Sequence, residues 1–174
     1  QNPLDRAGSA YLFERNATTG NWNEVQKIVA SDRDNLDRFG RSVAISGNYA
    51  IVGALDEDED ASGQNSKSKA GSAYLFERNT TTGNWSEVQK IVASDRAKNS
   101  WFGYSVSLSG NYAIVGATGE GAAYLFERNA TTEKWNEAQK IVASDRDFNV
   151  FGWSVSISGD YAIVGTYAED EDAS

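Results

Sequence analysis

The chain has 174 residues, with one proline, sixteen glycines and no cysteine, methionine or histidine, about one domain's worth of material. Those absences exclude disulfides, thiol nucleophiles, Ser-His-Asp triads, imidazole acid/base chemistry and the ordinary zinc, copper and haem sites. A net charge of −9 argues against nucleic acid or an anionic membrane surface as partner, and no apolar run approaches the roughly 18 residues that membrane insertion needs.

In chain order, the first readable element is 10–15, where Tyr11 and Phe13 alternate with Leu12 and Glu14 at the strand period of two. Thr18-Thr19-Gly20-Asn21 supplies a turn, and 25–29 alternates again through Lys27. At 42–46, Val43 and Ile45 share one face and Ser and Ala fill the other; that small face suits an innermost strand crowded against a central axis. Gly47-Asn48 reads as a tight hairpin link into 49–54. An acidic stretch, Asp56-Glu57-Asp58-Glu59-Asp60, follows, and helical periodicity appears nowhere.

At residue 70 the pattern starts over. Ala-Gly-Ser-Ala-Tyr-Leu-Phe-Glu-Arg-Asn at 7–16 recurs at 70–79, and 121–129 repeats it with Ala for Ser. A stretch opening on Trp22, Trp85 or Trp135 comes next, then Phe-Gly-x-Ser-Val from Phe39, Phe102 or Phe151, then Tyr-Ala-Ile-Val-Gly from Tyr49, Tyr112 or Tyr161. Four short strands per repeat fit propeller blades better than a sandwich, which has no reason to repeat its sequence. The expected fold is all-β, with third and outer strands at 7–33, 70–96 and 121–146 and inner pairs at 39–54, 102–117 and 151–166. The in-register Trp and Phe residues read as packing.

Phe-Gly followed some ten residues later by Tyr-Ala-Ile-Val-Gly resembles the FG-GAP repeat, the blade of the integrin α-subunit propeller and of many secreted bacterial proteins. The likeness covers nearly the whole chain as a single propeller region. Three blades' worth of strands is fewer than the four to eight of closed propellers. A start at Gln1 without methionine points to a processed protein or a fragment, and joining residue 174 to residue 1 regenerates most of the acidic loop. The expectation is head-to-tail self-association into a six-bladed ring, or membership of a longer propeller. Open sheet edges would otherwise invite aggregation.

The resemblance also implies calcium. The FG-GAP loop Asp-x-Asp-x-Asp-Gly binds it, and Asp56, Asp58 and Asp60 match the three acids, with Ala61 in place of the glycine. Asp170 and Asp172 match in the last repeat, where Ala168 replaces the first acid; the middle repeat lacks a site. Alternating carboxylates on a turning backbone are the right donors for a hard cation.

Where the repeats differ, a second feature stands out. The residue after Phe-Gly is Arg41, Tyr104 or Trp153, and the preceding loops carry Trp101 and Phe148. These positions crowd the face formed by loops joining blade to blade, where binding residues collect. Sequons at Asn16, Asn79, Asn84 and Asn129 fall in or near the turn after each third strand and would leave room for glycan. Together with the resemblance, these features predict an extracellular or cell-surface, non-enzymatic binding and adhesion module for a protein or glycan. A self-assembling structural protomer and a lectin-like variant are the alternatives. A hydrolase would need two acids flanking a cleft, whereas the acids here crowd single loops.

Overall fold

A computed structural model of the chain describes residues 4–144 and 150–168. Every regular element in them is a strand: β1 (Ala10–Arg15), β2 (Trp22–Ile28), β3 (Ser42–Ser46), β4 (Tyr49–Ala54), β5 (Ser72–Arg78), β6 (Trp85–Ile91), β7 (Phe102–Ser109), β8 (Tyr112–Ala117), β9 (Ala122–Arg128), β10 (Trp135–Ile141), β11 (Ser154–Ser158) and β12 (Tyr161–Gly165). They pair antiparallel in chain order into four sheets. Two are complete blades, β3–β6 and β7–β10; β1–β2 is the outer half of a blade and β11–β12 the inner half of another. The hairpin glycines Gly47, Gly110 and Gly159 have φ of 58°, 56° and 53°, and the residue after each is not left-handed. That is the type II′ arrangement, with glycine at the first central position.

Three apolar clusters lie at the three junctions between sheets. Leu12 and Ile28 meet Phe39, Val52, Tyr74 and Phe76 at the first. At the second, Ile51 and Leu75 meet Phe102, Val106, Leu108 and Tyr124. Ile114 and Ala123 meet Ile157 at the third, with Phe151, Val155 and Val164 packed alongside. Both faces of each full blade are therefore apolar. Val106 and Leu108 point back at the preceding blade, where they meet the small face of β3 through Ala44. The small face of the inner strand thus serves blade-to-blade packing: large side chains of one inner strand sit on small ones of the next. It does not turn toward the axis, because the faces of a blade meet its neighbours and only its inner edge lines the centre.

The outer strands lock blades together through a repeated irregularity. In each outer pair the register slips by one residue at the same place, past Val25, Val88 or Ala138. Residues two apart on a strand ordinarily share a face. The bulge breaks that rule, setting Glu87 opposite Phe76 and Gln89 opposite Leu75, on opposite faces. Glu87 reaches back to accept from the Ser31 amide and hydroxyl at 2.9 and 2.8 Å. Gln89 reaches forward, donating to the Trp135 carbonyl at 2.8 Å and accepting from its amide at 2.9 Å. Gln26 holds Trp85 in the same two-handed way, and Glu137 takes Ser94.

Near the axis the approach is backbone to backbone. A Cβ on Gly53 would collide with the Gly103 carbonyl oxygen, and one on Gly116 with that of Gly152. Ser42 and Ser105 donate to those same oxygens at 2.8 and 2.7 Å. Gly53→Ala is therefore expected to destabilise the fold by about 3 kcal/mol through overpacking. Gly47→Ala, with open space around it, costs only the left-handed φ, about 1 kcal/mol. Denaturant titration of the two variants measures the difference; equal losses would contradict this origin of the blade spacing.

Candidate functional site

Phe39 and Phe102 sit edge-on to rings of their own blade, 5.5 Å from Tyr74 and Tyr124 respectively. Each also bridges in parallel to the glycine opening the motif before it, Gly8 or Gly71. The phenylalanine is thus pinned inside the junction, and the chain emerges through a left-handed glycine, Gly40, Gly103 or Gly152. The next residue is the one that varies between repeats, and its recurrence sets Arg41, Tyr104 and Trp153 side by side on successive blades. The Arg41 guanidinium lies 4.6 Å from the Tyr104 ring centre. Tyr104 and Trp153 have ring centres 4.6 Å apart, and Tyr167 meets Trp153 edge-on at 4.4 Å.

The result is a continuous ladder Arg41–Tyr104–Trp153–Tyr167 across three inner strands. Arg41, Trp153 and Tyr167 are exposed and Tyr104 is half-buried. Each rung rests on the next, tilted or edge-on, so each ring is oriented before any ligand arrives, while Arg41, Trp153 and Tyr167 stay open to solvent. Sequence reading identifies three of the four rungs. It misses Tyr167, although Leu55 and Thr118 at the same repeat position mark that site as variable too. Trp101 is brought to the same end of the molecule but stays out of the ladder; it is half-buried, with φ of 53° and its amide donating to the Lys69 carbonyl at 3.1 Å. Phe148 lies outside the described residues.

The acidic loop closes on protein partners. Asp56 pairs with the Arg38 guanidinium at 3.0 Å, and Asp58 accepts from the Lys69 amide at 2.6 Å. Asp60 accepts from the Ser62 hydroxyl and amide, the Gln64 amide and the Asn65 side chain, and those donors, Ser62 first, hold its carboxyl well below the usual range. Glu57 turns inward: the Tyr74 hydroxyl lies 3.0 Å from one oxygen and Lys90 Nζ 3.4 Å from the other. Tyr74 and Lys90 also bind Asp32 of the preceding sheet, at 2.9 and 2.7 Å. The second blade repeats the pattern with Tyr124, Lys140, Asp95 and Glu120.

Among the described residues no group of three acidic side chains is placed to hold a metal. Each aspartate of the first loop has its own partner, so the arrangement does not fit a calcium ion coordinated jointly by Asp56, Asp58 and Asp60. Asp170 and Asp172 lie outside the described residues. Calcium added to EDTA-treated protein is accordingly expected to move the melting temperature by less than about 2 °C, under roughly 1 kcal/mol. A rise of many degrees would show that the loop rearranges around the ion.

Beside this loop, a cleft of about 560 Å³ is lined by Asp32, Asp34, Asp37, Asp56, Glu57 and Asp58 together with basic residues including Arg33 and Arg38. Asp37 is buried there. Burial pushes its carboxyl up to about 6, reinforced by the charges of Glu57, Asp34 and Asp32 and opposed by the hydrogen bond from the Asp34 amide. Because the folded state favours the protonated form, this contribution to stability is complete below the ordinary value of 3.8 and is lost as pH rises through about 6. Asp37→Asn keeps an acceptor for the amide without the charge. Its melting temperature should match the wild type near pH 4 and exceed it increasingly up to about pH 7; a gap that closes with rising pH would contradict the assignment.

The four sequon asparagines are exposed. Asn16, Asn79 and Asn129 each accept from the amides two and three residues on. Those bonds use the side-chain oxygen and shape the turn.

The family described as FG-GAP repeat matches the chain at residues 22–76, 85–126 and 135–174. No curated protein sequence matches it. Among solved structures, the chain is similar to a candidate 6-phosphogluconolactonase from Bacteroides fragilis, with a TM-score of 0.53 and 19% identity over 84% of this chain and 35% of that one. The chain thus spans about a third of that protein's length, and at this identity the likeness concerns the fold alone. Three repeat matches, falling on the sheets whose Phe-Gly and Tyr-Ala-Ile-Val-Gly segments build the blade junctions, establish the conclusion: this chain belongs to the FG-GAP repeat family.

Proposed function

We propose that the chain is a secreted or cell-surface, non-enzymatic recognition module that takes a protein or glycan ligand on the Arg41–Tyr104–Trp153–Tyr167 ladder. One observation carries this reading. The side chains that follow Phe-Gly differ between otherwise near-identical repeats, and they converge with Tyr167 on one surface and contact one another there. Identical positions maintain the scaffold, so the varied ones are free to meet something else. Aromatic rings and a guanidinium are the strongest contact anchors at interfaces, and the same flat rings suit sugar faces. Arg41 adds a planar fork of donors for carboxylates or hydroxyl pairs. FG-GAP repeats suggest a propeller-type binding and adhesion module and occur in extracellular proteins, which supports the extracellular setting; among the described residues no helix is long and apolar enough to cross a membrane. The reading needs no bound cation.

Screening the protein on glycan and extracellular-protein arrays, wild type beside a Tyr104→Ala/Trp153→Ala variant, tests this. The expected outcome is a specific hit whose affinity falls about 30-fold or more in the variant, the loss typical of paired hot-spot residues. Melting temperatures should stay close, because the rings are not core residues. A hit bound equally well by both proteins would place recognition elsewhere.

A further inference from the structure

Most polar groups on tyrosine rings in this protein are used by the protein itself. The hydroxyls of Tyr49 and Tyr112 donate to Glu77 and Glu127 at 3.2 and 3.4 Å, and those of Tyr74 and Tyr124 donate to Asp32 and Asp95 at 2.9 and 2.7 Å. The ladder is different. Among the described residues, neither the Tyr104 and Tyr167 hydroxyls nor the Trp153 indole N–H donates to a protein acceptor. The arginines in ion pairs are Arg6, Arg38, Arg78 and Arg128; Arg41 joins none of them. Four donor groups therefore stand beside the rings with no partner in the protein.

Arg41 shows what kind of partner is missing. Three other cations lie over tyrosine rings, and a carboxylate completes each: Glu133 at 3.4 Å for Arg128 over Tyr49, Asp32 at 2.7 Å for Lys90 over Tyr74, and Asp95 at 2.6 Å for Lys140 over Tyr124. Lys27, over Tyr11 on β2, corresponds to Lys90, which draws its carboxylate from the sheet before it. The Arg41 guanidinium makes the closest approach of the set, 4.6 Å from the Tyr104 ring centre, and the pair joins two complete blades, β3–β6 and β7–β10. Yet among the described residues no acid lies within 4.0 Å of it. The ring holds the guanidinium in place, and its fork of N–H groups remains to take two oxygens at once.

We propose that the ladder takes a polysaccharide carrying isolated carboxylated sugars among neutral ones, with a uronate on Arg41 and the C–H faces of neighbouring sugars against Trp153 and Tyr167. This rests on the recognition reading above and names the ligand class of that same site. Three features select it. Arg41 over Tyr104 lacks the carboxylate that completes the other pairs. The rungs step across successive sheets, which suits a chain of repeating units better than a single anchor residue set in a pocket. Hydroxyl and indole donors beside exposed rings meet the many oxygens of sugars, whereas an apolar protein contact would leave them unpaired. The net charge of −9 repels a dense polyanion, so the carboxylates of the ligand are sparse.

Titration calorimetry with oligosaccharides of hyaluronan and glucuronoxylan, in which uronates alternate with or branch from neutral sugars, tests this, each beside its carboxyl-reduced form and with polygalacturonate as the dense polyanion. At least one of the two uronate-bearing oligosaccharides should bind, and its carboxyl-reduced form should bind about 10-fold or more weaker, the loss expected for a charge-assisted bidentate contact. Arg41→Gln, at an exposed position, should lose the same factor on the uronate form and nothing on the reduced one. Tyr104→Ala/Trp153→Ala should weaken both forms. Equal affinity for the two forms that still depends on Tyr104 and Trp153 would overturn the carboxylate assignment and leave the recognition surface standing. So would tightest binding to polygalacturonate, or a ladder-dependent protein ligand with no binding of either oligosaccharide. Binding that neither ladder variant changes would overturn the recognition reading itself.

Discussion

Each sheet of this chain carries apolar side chains on both faces, and burying both is the constraint that shapes everything else. An antiparallel sheet with one polar face can end a domain against water; a sheet like β7–β10, with Val106 and Tyr124 in one cluster and Ile114 and Ala123 in another, needs a neighbour on each side. The repeat meets this need with a single interface used over and over. Glycine removes the Cβ where inner strands touch, small residues accept large ones across the junction, and the outer bulge aims one glutamate backward and one glutamine forward. The blade is thus built as a link with two unlike ends, and the exposed faces of β3 and β12 are those ends unjoined.

That logic also separates scaffold from site. Positions bound by the junction are the same in every copy: Phe-Gly, the tryptophan that opens each outer strand, the tyrosine whose hydroxyl meets an aspartate of the preceding blade. The position just after Phe-Gly points out of the junction, so Arg, Tyr and Trp can all stand there without disturbing the packing. Stacking then turns three independent surface residues, with Tyr167, into one ordered strip. A rigid frame with a variable rim is the arrangement on which binding surfaces are commonly built.

The strands, the hairpins, the repeat and three of the four ladder residues were legible in sequence, because period-two alternation, Gly-Asn links and repeat comparison are local signals. What failed to show was set by distant partners. The small face of β3 was readable as small, but its destination, the neighbouring blade, depends on how sheets stack. Asp56, Asp58 and Asp60 had ligand-like spacing, yet where their oxygens point is decided by Arg38, Lys69, Ser62 and Asn65, none of which the acidic motif itself contains. Val25, Val88 and Ala138 gave no sign of a bulge, since a single added residue leaves the alternation looking like a shorter strand. The raised pKa of Asp37 likewise follows from burial that its surface-like loop sequence conceals.

The most direct test of the two-faced blade is hydrogen exchange at the amides of β1 and β12, compared with those of β4 and β5 in the same protein. If each sheet is stable only when both faces are covered, β1 and β12, whose sheets each have a face open, should exchange much faster than β4 and β5, which are covered on both sides. Protection of β1 and β12 equal to that of β4 and β5 in a monomeric protein would contradict it.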